Sequence, residues 1–262
     1  NKDKFFLITI PALIFIIAAA ILLSGNKMPV ILFTFGLFLL FIFNPKIRKI
    51  LIFSIIIFFI SLNFSDKVKE RLIDSSGYMV SIFTNIQPVI NEILLKSEKK
   101  LPEGQKDEDS KLLVNKPEHW GHIKLFATAI DTWKKNKIFG NGIKSFREDC
   151  HEVALNIKNR ICSNHPHNYY LEILTETGII GLCIIIAILI KFAFFIFKNF
   201  NSLKKNNIGN LFLLAAIISL FLEIFPIKST GSVFSTNNST YLILMTSIIL
   251  SYKKLLSVVS FK

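Results

Sequence analysis

The strongest constraint on this chain is a set of six apolar blocks that show neither a helical nor a strand period. They run Phe5–Ser24, Met28–Phe43, Ile50–Phe64, Gly178–Phe197, Leu211–Ile227 and about Asn238–Tyr252. A helix on the surface of a soluble protein has one polar face. A block apolar all round is stable only in an apolar surrounding. A bilayer crossing takes roughly 20 such residues, so the second, third and sixth blocks are short for one. The chain is 52% hydrophobic with a mean hydropathy of +0.51. Its apolar residues are clustered, not spread periodically as in soluble domains. The expected fold is all-α: a polytopic membrane helix bundle of about six transmembrane helices, with one large, mostly helical periplasmic loop. Residues 1–64 hold the first three helices, 65–170 the loop and 171–262 the last three.

The formal net charge is +13. Nucleic acid is excluded as the reason, because the Lys and Arg flank apolar blocks and form no stripe interleaved with aromatics. They follow the bias that orients membrane proteins. One set of termini and short loops holds Lys2, Lys4, Lys46, Arg48, Lys49, Lys198, Lys204, Lys205, Lys253, Lys254 and Lys262; the other holds Lys27 and Lys228. This predicts both termini in the cytoplasm and the long loop outside. Lys67, Lys69 and Arg71 run weakly against it and are partly offset by Asp66 and Glu70. The first block lacks a small-residue cleavage pattern and reads as a retained helix. The chain starts at Asn1 and is expected to be a mature or truncated piece of a longer protein. Only Lys191 and Glu223 lie within blocks, and no inverted repeat is visible, which disfavours a transporter.

Within the loop, Tyr78–Leu95 alternates at roughly helical spacing and suits the membrane surface, with a kink at Pro88. Lys96–Lys111 is a mixed-charge linker. Gly121–Lys135 is the best helix, with Ile123, Phe126, Ala127, Ile130 and Trp133 on one face. It ends at Gly140-Asn-Gly142, where positive φ is available. Ser145-Phe-Arg-Glu148 fits a capping box opening a further helix. Cys150 and Cys162 either close a short disulfide loop, as an oxidising compartment favours, or stand as two free thiols. Cys183 lies in a block and reads as packing.

The segment Asn164-His-Pro-His-Asn168 leads straight into the fourth block. Pro166 biases His165 toward extended backbone. Asn164 or Asn168 can cap the helix that follows. Gly178 and Gly181 share a face and would admit a neighbouring helix. Glu172 and Glu176, four apart on one helix face, either help the site or, the preferred reading, simply suit the positive end of a helix dipole. His119 and His122 are spaced H-x-x-H, but no third ligand follows at zinc-like spacing.

His167-Asn168, nine residues, Gly178, two residues, Gly181 resembles the signature of the O-antigen ligase and polymerase family. Leu23-Ser-Gly-Asn-Lys-Met-Pro29 is similar to that family's Ser/Thr-Gly-x-Arg stretch, with Lys27 at the Arg position. Lys137-Ile-Phe-Gly-Asn-Gly142 and Pro226-Ile-Lys-Ser-Thr-Gly-Ser232 resemble its other turns. Members usually have some ten to twelve helices, so this chain is similar to the C-terminal half. The resemblance implies a membrane glycosyltransferase that uses no metal or other cofactor. It would move a glycan from undecaprenyl pyrophosphate to an acceptor glycolipid, polysaccharide or protein.

Such chemistry needs a base for the acceptor hydroxyl and cations for the leaving pyrophosphate. His suits the first role. His167 is therefore the expected base and Asn168 its positioning partner; Lys27, Arg147 and Lys228 are the expected donor-pyrophosphate cations. His167 and the three cations also have plainer readings: a cap or a surface residue for His167, a snorkelling end for Lys27, an ion pair with Glu148 or Asp149 for Arg147, and no role in the site for Lys228. The rival functions are a non-catalytic membrane scaffold and a degenerate protein that binds the lipid donor without turning it over.

Overall fold

The structure is a computed structural model. It describes residues 2–24, 27–45, 48–61, 70, 73, 120–157, 160–203, 208–226 and 228–259. Among these, the regular elements are eight helices: α1 Lys2–Leu23, α2 Lys27–Phe43, α3 Arg48–Ser61, α4 Trp120–Trp133, α5 Phe146–Asn156, α6 Tyr169–Leu203, α7 Ile208–Glu223 and α8 Thr236–Val259. Each of the six apolar blocks contains a helix among the described residues. Tyr169–Lys198 is long and apolar enough to cross a membrane, while Pro11–Leu23, Met28–Phe43 and Asn210–Glu223 are shorter apolar helices. The stretch Tyr169–Lys198 has 30 residues, more than the roughly 20 a bilayer takes. The part after Gly178 alone is about that long, and Glu172 and Glu176 lie before it. The Tyr78–Leu95 helix, the Lys96–Lys111 linker and His119 lie outside the described residues.

The chain forms two compact units. One comprises Asn1–Thr84, Asn199–Glu223 and Leu244–Lys262; the other comprises Asn85–Lys198 and Ile224–Ile243. In the first, α1 packs on α2 and α3, and α2 packs on α7. Arg48 reaches back from α3 to the end of α2. Its Nε donates to Phe41 O at 2.8 Å and its Nη2 to Ile42 O at 3.2 Å, satisfying carbonyls that a helix end leaves open.

The second unit has a small core of Leu125, Ala129, Phe146 and Cys150, with Cys162 and Leu171 against it. A disulfide joins Cys150 to Cys162, with Cα atoms 5.2 Å apart. The buried stripe of α4 differs from the apolar one in the sequence. Leu125, Thr128, Ala129 and Thr132 are fully buried, as is Ala127 of the expected face, whereas Ile123, Phe126, Ile130 and Trp133 are half-buried. The threonines can turn inward because each hydroxyl donates to its own helix: Thr128 to Lys124 O at 2.9 Å and Thr132 to Thr128 O at 2.8 Å. A buried hydroxyl with a partner costs little. Asp131 anchors the loop after α5 through a buried pair with Arg160, Nε to Oδ2 2.7 Å.

One break in α6 organises this unit. Gly178 has φ 68 and ψ −168. A continuous helix would carry hydrogen bonds from Ile179 N–H to Thr175 O and from Ile180 N–H to Glu176 O. Both are open, and the turn after α4 supplies all four partners. Asn141 N–H donates to Thr175 O at 3.0 Å and Gly142 N–H to Glu176 O at 2.9 Å. Ile179 N–H donates to Lys137 O at 2.9 Å and Ile180 N–H to Ile138 O at 3.3 Å. The chains touch backbone to backbone. A Cβ on Gly140, φ 73, would lie 2.5 Å from Thr177 N and Gly178 N; one on Gly178 would strike Ile138 O. This corrects the expectation for the glycine pair. Gly178 admits a loop, not a helix, and a Cβ on Gly181 would strike Thr177 of its own helix.

Gly178→Ala should therefore lower stability by at least about 2 kcal/mol, since it adds left-handed strain to a backbone clash. Gly121→Ala, in a helix with nothing within 4 Å of the new methyl, should be neutral or stabilising by up to about 1 kcal/mol. Thermal unfolding of the purified protein in detergent compares the two. A Gly178→Ala midpoint equal to that of the parent would refute this account of the break.

Candidate functional site

The His-Pro-His-Asn segment enters α6 through Asn168. The Asn168 Oδ1 accepts from Tyr170 N–H at 3.1 Å and Leu171 N–H at 3.2 Å, capping the helix. Its Nδ2 donates to Pro226 O at 2.7 Å. Asn168 is 6% exposed, so its amide is committed to holding backbone.

His167 sits in the left-handed region, φ 57, which costs a non-glycine residue about 1–2 kcal/mol. Thr230 holds it there from both sides. Thr230 N–H donates to His167 O at 2.9 Å, and His167 Nδ1 lies 3.2 Å from Thr230 O. A carbonyl can only accept, so this contact requires the proton on Nδ1. Nε2 then carries the lone pair. The ring is partly exposed. Burial, with the neighbouring His165 second, lowers the pKa below its ordinary value near 6.5.

Two more imidazoles surround it. The His165 ring centroid is 4.2 Å away, and the His122 ring, from α4, stands edge-on at 5.5 Å. Burial lowers the pKa of both. Among the described residues no group of three or more His, Cys, Asp or Glu side chains is arranged to hold a metal ion.

The cations expected for pyrophosphate are distributed unevenly. Lys228 lies between Pro226 and Thr230, both bonded to the His167-Asn168 pair, so its backbone is pinned beside the histidine. Lys228 N–H also closes a turn onto Phe225 O at 3.1 Å. Arg147, on α5, is exposed and lies 3.8 Å from Glu148 Oε1. Lys27 opens α2, in the other compact unit.

Two residues that carry no motif matter most to the site's construction. Glu172 and Glu176 are each 2% exposed; the helix dipole alone does not account for that. Glu172 accepts from Ser232 Oγ at 2.5 Å and Val233 N–H at 2.6 Å, fixing the turn that carries Thr230. Glu176 accepts from Lys144 N–H at 2.5 Å and from Phe146 N–H. It thereby caps α5 from a distant helix. The capping box is corrected accordingly. Ser145 makes no side-chain cap bond, and Glu148 is exposed in an ion pair with Arg147, because Glu176 already occupies the helix end. The only sequence signal for the glutamates is their i, i+4 spacing, which does not reveal burial.

Burial raises the pKa of both carboxyls, that of Glu176 to about 7; its backbone donors and Lys144 pull the other way, and Glu172 adds to the rise. Between its ordinary value near 4.5 and about 7, the folded state binds more protons than the unfolded state. Stability therefore falls as pH rises through that window and levels off above it. The lowered histidines act oppositely, so the contribution is read as a difference. Glu176→Gln should flatten the fall in unfolding midpoint between about pH 4.5 and 7 relative to the parent; parallel pH profiles would count against the burial described here.

Neither curated proteins nor solved structures give a match to this chain. A family model described as O-antigen ligase matches residues 12–186. That stretch is about two thirds of the chain and includes the second half of α1, α2–α5, the His-Pro-His-Asn segment and the Gly178 break. The chain belongs to the O-antigen ligase family, membrane-integral bacterial proteins associated with glycosyl transfer in O-antigen biosynthesis.

Proposed function

We propose that this chain transfers a glycan from undecaprenyl pyrophosphate to an acceptor hydroxyl or amide, on the periplasmic face of the bacterial inner membrane. The proposed topology has about six crossings, with both termini in the cytoplasm. The six apolar helices and the asymmetry of Lys and Arg in the short loops support it. The acceptor is a glycolipid, a growing polysaccharide or a protein side chain.

The observation that carries this reading is the state of His167. A ring with Nδ1–H given to Thr230 O and its pKa lowered is a neutral base at neutral pH. For a hydroxyl acceptor, Nε2 takes the proton as the oxygen bonds to the anomeric carbon. The anomeric carbon–phosphate oxygen bond breaks, and the lipid pyrophosphate leaves with the electron pair. Cations stabilise that charge. Lys228 is the best supported of the three, by its place in the pinned loop; Lys27 and Arg147 are proposed to assist. Asn168 is a positioning residue, because its cap and its bond to Pro226 set where His167 lies. Metal plays no part in the proposal.

The test uses the full chain with an undecaprenyl-pyrophosphate-linked glycan and candidate acceptors, in the presence of EDTA. Transfer should survive EDTA, and His167→Ala should reduce it by about 10²–10⁴-fold, the usual worth of a general base. The parent's kcat/KM should fall on the acid side with an apparent pKa below 6.5. Undiminished transfer by His167→Ala would remove the histidine from the chemistry. A second reading, donor binding without turnover, is favoured by Lys27 standing where the family carries Arg, since Lys lacks the planar fork that grips phosphate. Donor binding with no transfer to any acceptor would select it.

A further inference from the structure

The turn between α4 and α5 meets the start of the proposed crossing in an unusual state. Three large apolar side chains within six residues stand in the open: Ile138 is 55% exposed, Phe139 71% and Ile143 65%. A segment that merely closed the Gly178 break would not need them, because its backbone does that work. Soluble surfaces rarely gather such a patch without a partner.

The position of the turn identifies the partner. Lys137 O and Ile138 O accept from Ile179 and Ile180 N–H, the first residues after the break. From there, α6 continues with Ile179, Ile180, Ile184 and Ile188 exposed at 42%, 43%, 56% and 55%. The turn is therefore fixed at the level where the apolar surface of the crossing begins. Trp133 stands at its base, half-buried, with Nε1–H donating to Lys137 O at 2.9 Å, an amphipathic ring suited to the headgroup level. Lys134, Lys135, Lys137 and Lys144 surround the apolar tip, all exposed. Lys134 pairs with Asp131 and Lys135 with Glu152, which leaves the turn cationic enough to favour anionic headgroups.

We propose that residues 134–144 form a wedge that inserts Ile138, Phe139 and Ile143 into the outer leaflet of the bilayer that α6 crosses, with Lys137 and Lys144 toward phospholipid phosphates. This rests on the reading of α6 as a crossing. The wedge fixes the height of α4 and α5 relative to the membrane. Through the bonds of Asn141 and Gly142 to α6, it ties the His167 helix to the lipid surface from which a polyprenyl donor would be taken.

The test uses the full chain in vesicles of phosphatidylethanolamine and phosphatidylglycerol. With the native disulfide intact, Cys183 is the remaining thiol. In a Cys183→Ala background, an environment-sensitive fluorophore is placed at Phe139→Cys, at Ile184→Cys within the crossing and at Glu148→Cys on the exposed surface of α5. Phe139 is exposed, so its replacement removes little packing. The label at 139 should be quenched by a doxyl group near the headgroup end of a lipid, and several-fold less by soluble iodide than the label at 148. The label at 184 should be quenched by a doxyl group deep in the acyl chain. Iodide quenching at 139 equal to that at 148, with 184 still quenched from the acyl chain, overturns the wedge and leaves the crossing standing. Loss of lipid quenching at 184 overturns the crossing, and the wedge with it. Protection of 139 from both quenchers places protein, not lipid, on the turn and also overturns the wedge.

Discussion

Four backbone groups opened at Gly178 set the architecture around the histidines. A helix broken at the start of an apolar stretch must find partners for the groups it frees, because an apolar surrounding does not replace them. Here the partner is a turn some forty positions earlier in the chain, from Lys137 to Gly142, and the match is reciprocal: two carbonyls and two N–H groups on each side. Glycine is required where the two strands of backbone touch, at Gly140 and Gly178, since a side chain on either would displace the other. The spacing from His167 to Gly178 is thus a mechanical length: from the Asn168 cap to the point where the helix must yield.

Once the break is fixed, the short helix from Tyr169 to Thr177 serves as a platform. It carries Asn168 at its start and buries Glu172 and Glu176 one turn apart. Each carboxylate holds a different outside segment: the turn with Thr230 for Glu172, the start of α5 for Glu176. Burying two carboxylates four residues apart is unfavourable unless backbone donors receive them, and here they do. The result is a left-handed His167 that the surroundings over-determine, clamped by Thr230 at backbone and ring. Backbone strain of this kind persists only under such support.

Much of this is legible in the order of the amino acids. The apolar blocks dictate helices, because a block apolar on every face has no other stable form in lipid. The His-Asn and Gly-x-x-Gly spacings mark the segment that matters. The Asn168 cap follows from local rules that need only a few neighbouring residues. Other expectations fail for equally physical reasons. Ser145 has the sequence of a cap but loses the helix end to Glu176, a competitor thirty-one positions away. The buried stripe of α4 departs from the apolar pattern because threonines that bond to their own helix can be buried as readily as alanine.

By itself the sequence determined the helical class, the apolar segments, the charge asymmetry and the residues around which a site would form. These depend on composition and short spacing, which act within a helix turn or two. Only the tertiary structure decided which nitrogen of His167 keeps its lone pair, what the glycines accommodate and what the buried glutamates hold. Each of those turns on a contact between segments far apart in the chain: Thr230 with His167, Gly140 with Gly178, Lys144 with Glu176. Hydrogen bonds of about 3 Å between distant segments leave no periodic trace in a sequence, because any residue with a free N–H or C=O can make them.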